Sequence, residues 1–441
     1  MSAQGPLRII FAGFGSRGEI HPLLGTAREL KARGHEISLI APAPYAKAAQ
    51  EFGFAFSPLG PFDQFERFMA QEKLWRFPWC FPLLAAGAAD VIEPAFNAVH
   101  EHHRPGRTVL VMQWLVFGAR IAQEKLGLPG VSLHPSPAVL RSAVAPARLP
   151  PLPVSASMPA WWNRACFALS DVLLLDVLFA KPVNAFRARQ GLPPMRRMLA
   201  DWIHSPDRVV GLFPDWFVPP QPDWPQQAVL TGFPLCDIGD EAALDRELLG
   251  FLDAGEPPVA ITFGSGERHA QRSFAAAVAA CRILGRRALL LTPYRQNLPA
   301  ELPGDSYHAA YAAFGSLLPR CAAIIHHGGI GTMAQALAAG IPQVIVPVAF
   351  DQVDNGMRAA RLGAATVLPP RSVNGRTIAA SLRRLDEADH AAACAAAKRR
   401  LTSASAPSDT ADWVERTFRD SAAAATSAAF KNPPSVVLER A

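Results

Sequence analysis

Residues 322–356 read AAIIHHGGIGTMAQALAAGIPQVIVPVAFDQVDNG. The order is an apolar strand, a glycine-rich loop, a helix and a second strand. Gly340 stands where a helix stop belongs, and Pro342 follows it. The loop feeds the N-terminus of the helix, where unsatisfied backbone N–H groups and the helix dipole favour an anion. Gly328, Gly329 and Gly331 let phosphate oxygens approach the backbone closely. His326 adds an imidazole able to donate to the same anion, with His327 beside it. A nucleotide diphosphate is the natural occupant.

The N-terminal half repeats the pattern. Leu7 to Ala12 is a β-type run, followed by Gly13-Phe14-Gly15-Ser16-Arg17-Gly18. Pro22 marks a helix start, Leu23, Ala27 and Leu30 share a face, and Gly34 ends the helix before a strand over Glu36 to Ala41. This βαβ unit predicts a parallel sheet. Its loop matches the Gly-x-Gly-x-x-Gly fingerprint, which opens an NAD-dependent oxidoreductase reading. That reading needs an acidic residue at the end of the second strand for the ribose. The strand ends instead in Ala41-Pro42-Ala43-Pro44.

A chain of 441 residues predicts two domains, each large enough for its own core. Expected bounds are 1–238 and 239–418, with a tail over 419–441. An acidic linker helix precedes a second sheet that begins at Val259–Phe263, and the last helix crosses back to the first domain. Half the residues are hydrophobic and 18% are charged, which excludes wholesale disorder. The net charge of +6 is spread out, with no basic stripe interleaved with aromatics, so nucleic acid is not an expected partner. An anionic substrate or membrane face suits the charge. The six cysteines form no Cys-x-x-Cys pair, and no His stands at zinc spacing, so no metal site is expected. No basic region followed by an apolar stretch opens the chain, and the window Ala165 to Ala180 is too short to span a bilayer. The expected location is cytoplasmic, compatible with peripheral docking on the inner membrane.

The segment from His326 to Asn355 resembles the donor-binding motif of family 1 GT-B glycosyltransferases. That resemblance implies an α/β architecture of two Rossmann-like domains whose parallel sheets face each other across a cleft. It implies that His326 contacts the sugar-nucleotide diphosphate and that His327, Gly328, Gly329, Gly331 and Thr332 cradle it. Asp351, Gln352 and Asn355 would bond sugar hydroxyls. Ser265, in Gly264-Ser265-Gly266 after the second domain's first strand, would reach the distal phosphate. Tyr311, with Phe314 second, stands where relatives stack on the nucleotide base; aromatic core is the alternative for both.

In the same family, the turn after the first strand holds the base that activates the acceptor. Gly18-Glu19-Ile20-His21-Pro22 places Glu19 there. A carboxylate at this turn can take the proton of an attacking hydroxyl. The alternative is a first-turn charge near a helix N-terminus. His21 is a second candidate base. Relatives orient their base with an Asp after a later strand; here Thr108 to Met112 is followed by Gln113-Trp114, and no acid stands there. His134 either lines the acceptor site or is structural.

The run Phe62 to Leu84 is dense in aromatics, including Trp75 and Trp79. With Trp161 and Trp162 it suggests a hydrophobic acceptor cleft. The blocks 13–33, 133–153 and 212–216 with the His326 loop look most like the bacterial rhamnosyltransferases of mono-rhamnolipid synthesis. The implied reaction moves L-rhamnose from dTDP-L-rhamnose to a 3-(3-hydroxyalkanoyloxy)alkanoate, without metal and with inversion. The acceptor-synthesising enzyme is then a natural neighbour. A UDP- or dTDP-hexose glycosyltransferase acting on a sterol, polyketide or other hydrophobic acceptor is the alternative, and a non-catalytic sugar-nucleotide-binding protein is a third reading.

Overall fold

The computed structural model describes residues 5–236, 244–264, 266–402 and 405–431. Among them, two all-parallel sheets form. The first contains β1 (Arg8–Ala12), β2 (Glu36–Ala41), β3 (Ala55–Pro58), β4 (Thr108–Met112), β5 (Gly130–His134), β6 (Arg208–Gly211) and β7 (Ala228–Leu230), in the order β3-β2-β1-β4-β5-β6-β7. The second contains β8 (Val259–Thr262), β9 (Ala288–Leu291), β10 (Ser306–Ala309), β11 (Ala323–His326), β12 (Gln343–Ile345) and β13 (Ala365–Val367), in the order β10-β9-β8-β11-β12-β13. Helices cover both faces of each sheet, so central strands such as β4 and β5 are apolar and buried throughout.

Strand order reverses between β1 and β4 in the first sheet and between β8 and β11 in the second. Crevices for ligands open at such switch points, beyond the carboxyl ends of the strands. In the first lobe that place is the loop from Gly13 and the Gln113 turn. In the second it is the loop from Gly264 and the His326 loop. The two crevices meet: a Cβ on Gly331 would stand 3.9 Å from the Cα of Gly18.

A cluster of buried apolar side chains joins the lobes, with Phe217 and Phe233 packed in one core with Met333, Leu337 and Leu401. The helix Ala406–Lys431 returns to the first lobe, where Ala411 and Val414 pack with Leu23, Ala27 and Leu30. Arg33 fixes its angle, donating to Asp412 at 2.6 Å and to the Ser408 carbonyl at 3.1 Å. This helix continues to Lys431, past residue 418 where the sequence suggested a tail. Another difference concerns α1, which spans Arg17–Ala32 and carries Pro22 inside rather than at its start. Pro22 has no N–H, so the carbonyl of Gly18 lacks its helical donor. No helix among the described residues is long and apolar enough to cross a membrane.

Candidate active site

The helix Ile330–Ala339 begins at Gly329, which has extended backbone and no side-chain cap. The first N–H groups of this helix therefore point at the cleft without an intramolecular acceptor from a cap. Gly328, at φ 91°, makes the turn; a Cβ there would come within 2.9 Å of the Gln352 carbonyl oxygen. From the opposite side, α1 presents its own N-terminus, and its Ser16 cap also makes no side-chain bond. Two positive helix ends thus converge on one space. Gly331 and Thr332 lie in the first turn of the donor-side helix, partly open to this space.

The two adjacent histidines divide their work. His326 ends β11 and is completely buried; its Nε2 faces Gln343 Oε1 at 2.9 Å and its Nδ1 accepts the Gly328 N–H at 3.1 Å. With both nitrogens engaged, it shapes the loop rather than offering a donor to a diphosphate, which corrects the sequence expectation. His327 is the one that lines the cleft: it lies against Gly264 and Gly329, where a Cβ would meet its ring at 2.9 and 2.5 Å, and its Nδ1 has no partner. Burial lowers its pKa to about 4, so the ring is neutral near pH 7. Ser265 lies outside the described residues.

Glu19 stands in the first turn of α1, partly open to the cleft. Gly15, at φ 137°, leaves room for it; a Cβ there would touch Glu19 Cγ at 2.8 Å. Gln113 stands beside Glu19, where the sequence had no acid. Its Nε2 donates to the Glu19 carbonyl at 2.6 Å and lies 3.4 Å from Oε2, while its Oε1 accepts the Phe14 N–H at 3.2 Å. Burial, and secondarily the charge of Asp351, raise the Glu19 pKa to about 8. His21 moves the other way: burial and the Arg17 cation lower it to about 3. A base near 8 accepts a hydroxyl proton far better than one near 3, so the chemistry favours Glu19.

Asp351 belongs to the second lobe, yet Ser136 from the loop after β5 hydrogen-bonds it, as does Asn355 Nδ2 at 2.9 Å. Burial raises its pKa despite these bonds. Asn355 also donates to the Gly328 carbonyl at 3.1 Å, and Gln352 Oε1 accepts the N–H groups of Val348 and Ala349 at 2.7 and 2.9 Å. Both thus brace the loop presenting Asp351, while Asn355 Oδ1 keeps no partner among the described residues. Gln113 and Ser136 were not foreseen. The signal for Gln113 was its place directly after β4, at the first switch point.

The aromatic candidates are scattered by the fold. Tyr311 carries the Arg17 guanidinium over its ring at 4.4 Å, so in this conformation a cation from the opposite lobe covers the face expected for a base. Phe314 packs partly into the core beside a recess formed with Leu235, Pro319 and Gln335. His134 is fully buried, 3.0 Å from His204 Nδ1, and is structural rather than a cleft residue. Trp79 is exposed, with Lys73 Nζ 5.3 Å from its ring, whereas Trp75 lies at the seam against Phe350. Trp161, Leu169, Leu173 and Val177, spaced eight, four and four residues apart, are exposed on the helical segment over 160–180. Arg141, paired with buried Asp171 at 2.7 Å, anchors that segment from beneath.

Two facing lobes, an uncapped helix terminus on one side and a largely desolvated carboxyl on the other define a nucleotide-sugar transferase of the GT-B class. Residues 9–144 match the glycosyltransferase family 28 N-terminal domain, and residues 289–416 match the erythromycin biosynthesis protein CIII-like C-terminal domain. The chain is 32% identical over 405 residues to the O-mycaminosyltylonolide 6-deoxyallosyltransferase of Streptomyces fradiae, covering 86% of this chain and 89% of the relative. Among solved structures it resembles the kitacinnamycin glycosyltransferase, with TM-score 0.71 and 21% identity, over 94% of this chain and 100% of that one. It also resembles the spinosyn rhamnosyltransferase SpnG complexed with thymidine diphosphate, with TM-score 0.65 and 19% identity, over 93% and 100% of the two chains. The chain belongs to the GT-B glycosyltransferases of the antibiotic-tailoring type.

Proposed function

We propose that this protein is an inverting glycosyltransferase that moves a 6-deoxyhexose, L-rhamnose foremost, from a dTDP donor to a hydroxyl of a hydrophobic acceptor. The observation that carries the reading is Glu19, raised to about 8 and held by Gln113, opposite the uncapped terminus of helix Ile330–Ala339. In the proposed step, a Glu19 carboxylate oxygen takes the acceptor's hydroxyl proton as the hydroxyl oxygen attacks the anomeric carbon and forms the new glycosidic bond. The bond from that carbon to the diphosphate breaks, and the electron pair leaves with the phosphate oxygen. The N–H groups of both facing helix ends, the Arg17 cation and His327 meet the developing charge, so the reaction as proposed needs no metal or other cofactor. Asp351 orients the transferred sugar.

For the acceptor, the proposal is a 3-(3-hydroxyalkanoyloxy)alkanoate, giving mono-rhamnolipid. It is supported by the sequence blocks around Gly13, His134 and Leu212 and by the exposed apolar side chains of Trp161, Leu169, Leu173 and Val177. Each methylene covered is worth about 0.8 kcal/mol. The same side chains suit delivery of the acceptor from the cytoplasmic face of the inner membrane. A polyketide acceptor is the second reading, favoured by the identity to the 6-deoxyallosyltransferase of a tylonolide. A panel of dTDP-rhamnose, dTDP-glucose and UDP-glucose against a hydroxyalkanoate dimer and a macrolactone, followed by nucleoside-diphosphate release, tests both. Release with dTDP-rhamnose that depends on the dimer is expected. Turnover with UDP-glucose alone would overturn the donor assignment.

A further inference from the structure

The first lobe sends one aromatic side chain against the loops that surround the donor crevice of the second. Trp75 closes the turn Glu72–Trp75, just after helix Phe62–Met69. On one side its ring approaches Gly266, in the loop after β8, so closely that a Cβ there would lie 2.9 Å from indole Cζ2 and 2.8 Å from Met69 Cε. On the other side it meets the ring of Phe350, with centroids 5.9 Å apart and planes at 73°. Arg268, two residues beyond Gly266, pairs with Glu66 across the same seam and sets the approach.

Two costs sit side by side here. Phe350 has φ 57°, a left-handed conformation that is strained for a non-glycine residue, and it immediately precedes Asp351. The Trp75 indole N–H is buried and has no hydrogen-bond partner. An orphaned donor of this kind carries the full desolvation penalty of its N–H unless a ligand supplies an acceptor. Both features stand beside the loops at the donor-side switch point, where the nucleotide's terminal group must extend toward Glu19.

We propose that Trp75 is a donor-binding residue supplied by the opposite lobe, whose indole N–H bonds an oxygen of the transferred sugar while its ring and Phe350 wall the sugar pocket. The inference rests on the glycosyltransferase reading and names the sugar subsite within it. An aromatic wall accepts a methyl group without loss, whereas a hydroxymethyl group brings a hydroxyl that the wall cannot satisfy. The pocket so built takes a 6-deoxyhexose in preference to its 6-hydroxy counterpart, by about 10- to 100-fold, the range an apolar pocket achieves against an added hydroxyl. Because Trp75 belongs to the first lobe, the sugar and not the nucleotide would draw the lobes together.

The test compares wild type, Trp75→Phe and Trp75→Leu by calorimetric titration with dTDP and with dTDP-rhamnose, and then by steady-state kinetics. All three should bind dTDP equally within about twofold, since the wall touches only the sugar. Trp75→Phe, which keeps a ring but loses the N–H, should weaken dTDP-rhamnose about tenfold. Trp75→Leu should weaken it further and narrow the preference over dTDP-glucose, with the acceptor KM unchanged in both. Equal losses for dTDP and dTDP-rhamnose would show a merely structural role and overturn the assignment. Raised acceptor KM with intact donor affinity would overturn it too, by placing Trp75 on the acceptor side. In both cases an active wild type leaves the glycosyltransferase reading standing. A wild type that binds no sugar nucleotide sinks both.

Discussion

Glu19, the proposed base, is held in its acid form by its surroundings. Its pKa near 8 means that at neutral pH most free enzyme carries the proton, so kcat/KM should rise with pH through an acid limb near 8. Glu19→Gln should abolish that limb and lower transfer at least about 100-fold, with sugar-nucleotide affinity nearly unchanged. Full activity in this variant would remove Glu19 from the chemistry. The same shift carries a stability consequence. The folded-state pKa lies above the ordinary 4.5, so the folded protein binds the extra proton. The contribution is fully present below about 4.5 and is lost as pH rises through about 8. Thermal melts of Glu19→Gln and wild type should therefore diverge as pH rises from about 4.5 to about 8, the variant gaining by about 2–4 °C, and run parallel above that. A constant difference across that range would show that the carboxyl is not buried in its charged form. The histidine pair allows an equally direct comparison. His326→Ala removes the partner of buried Gln343 and should lose about 2 kcal/mol or more of stability. His327→Ala should leave the melting temperature within about 1 °C and raise the Kd for dTDP several-fold. The opposite ordering, read by melts and titration, would restore His326 as the diphosphate contact.

Elements explain which parts of this site were legible in the chain. The parallel strands and the glycine loops were, because central strands of such sheets are continuous apolar runs and their loops need residues without a Cβ. What hid was side-chain direction. His326 and His327 are neighbours whose rings stand edge to face, centroids 6.3 Å apart, but one ends a strand among buried side chains and the other opens the loop. Sequence resemblance assigned the ligand to the first, and the geometry turns it into a prop. Gln352 and Asn355 were concealed for a related reason. Their partners are backbone groups of Val348, Ala349 and Gly328, contacts that exist only once the loop has folded. Gln113 could be placed after β4 in sequence, but its bond to Glu19 joins residues 94 positions apart and depends on β1 and β4 being neighbours. The loop itself is intolerant of side chains at Gly328. Gly328→Ala puts a methyl group within 2.9 Å of the Gln352 carbonyl at a φ of 91°, and it should weaken both fold and donor binding. Normal dTDP affinity in that variant would show that the loop does not need its left-handed turn.

At the scale of the whole molecule, the lobes meet through paired side chains as well as through apolar packing. Ser136 reaches Asp351, Arg17 covers Tyr311, and the Arg148 N–H donates to Asp354 at 2.8 Å. The C-terminal helix adds a covalent return path, and Val414 is its fully buried anchor in the first lobe. Val414→Asp would place a charge in that core and should cost about 3 kcal/mol or more. Differential scanning calorimetry should then show a lower or divided transition. An unchanged single transition would mean that the helix is dispensable for coupling the lobes.

The chain passes between the lobes twice, and the flanks of the two passages touch. Thr231 and Thr410 share a buried hydrogen bond at 2.8 Å, and a Cβ on Gly232 would meet Ala406 at 3.4 Å. A shared anchor ties the fates of the two flanks together: breaking the Thr231–Thr410 bond would loosen the end of the first lobe's sheet and the start of the returning helix at once.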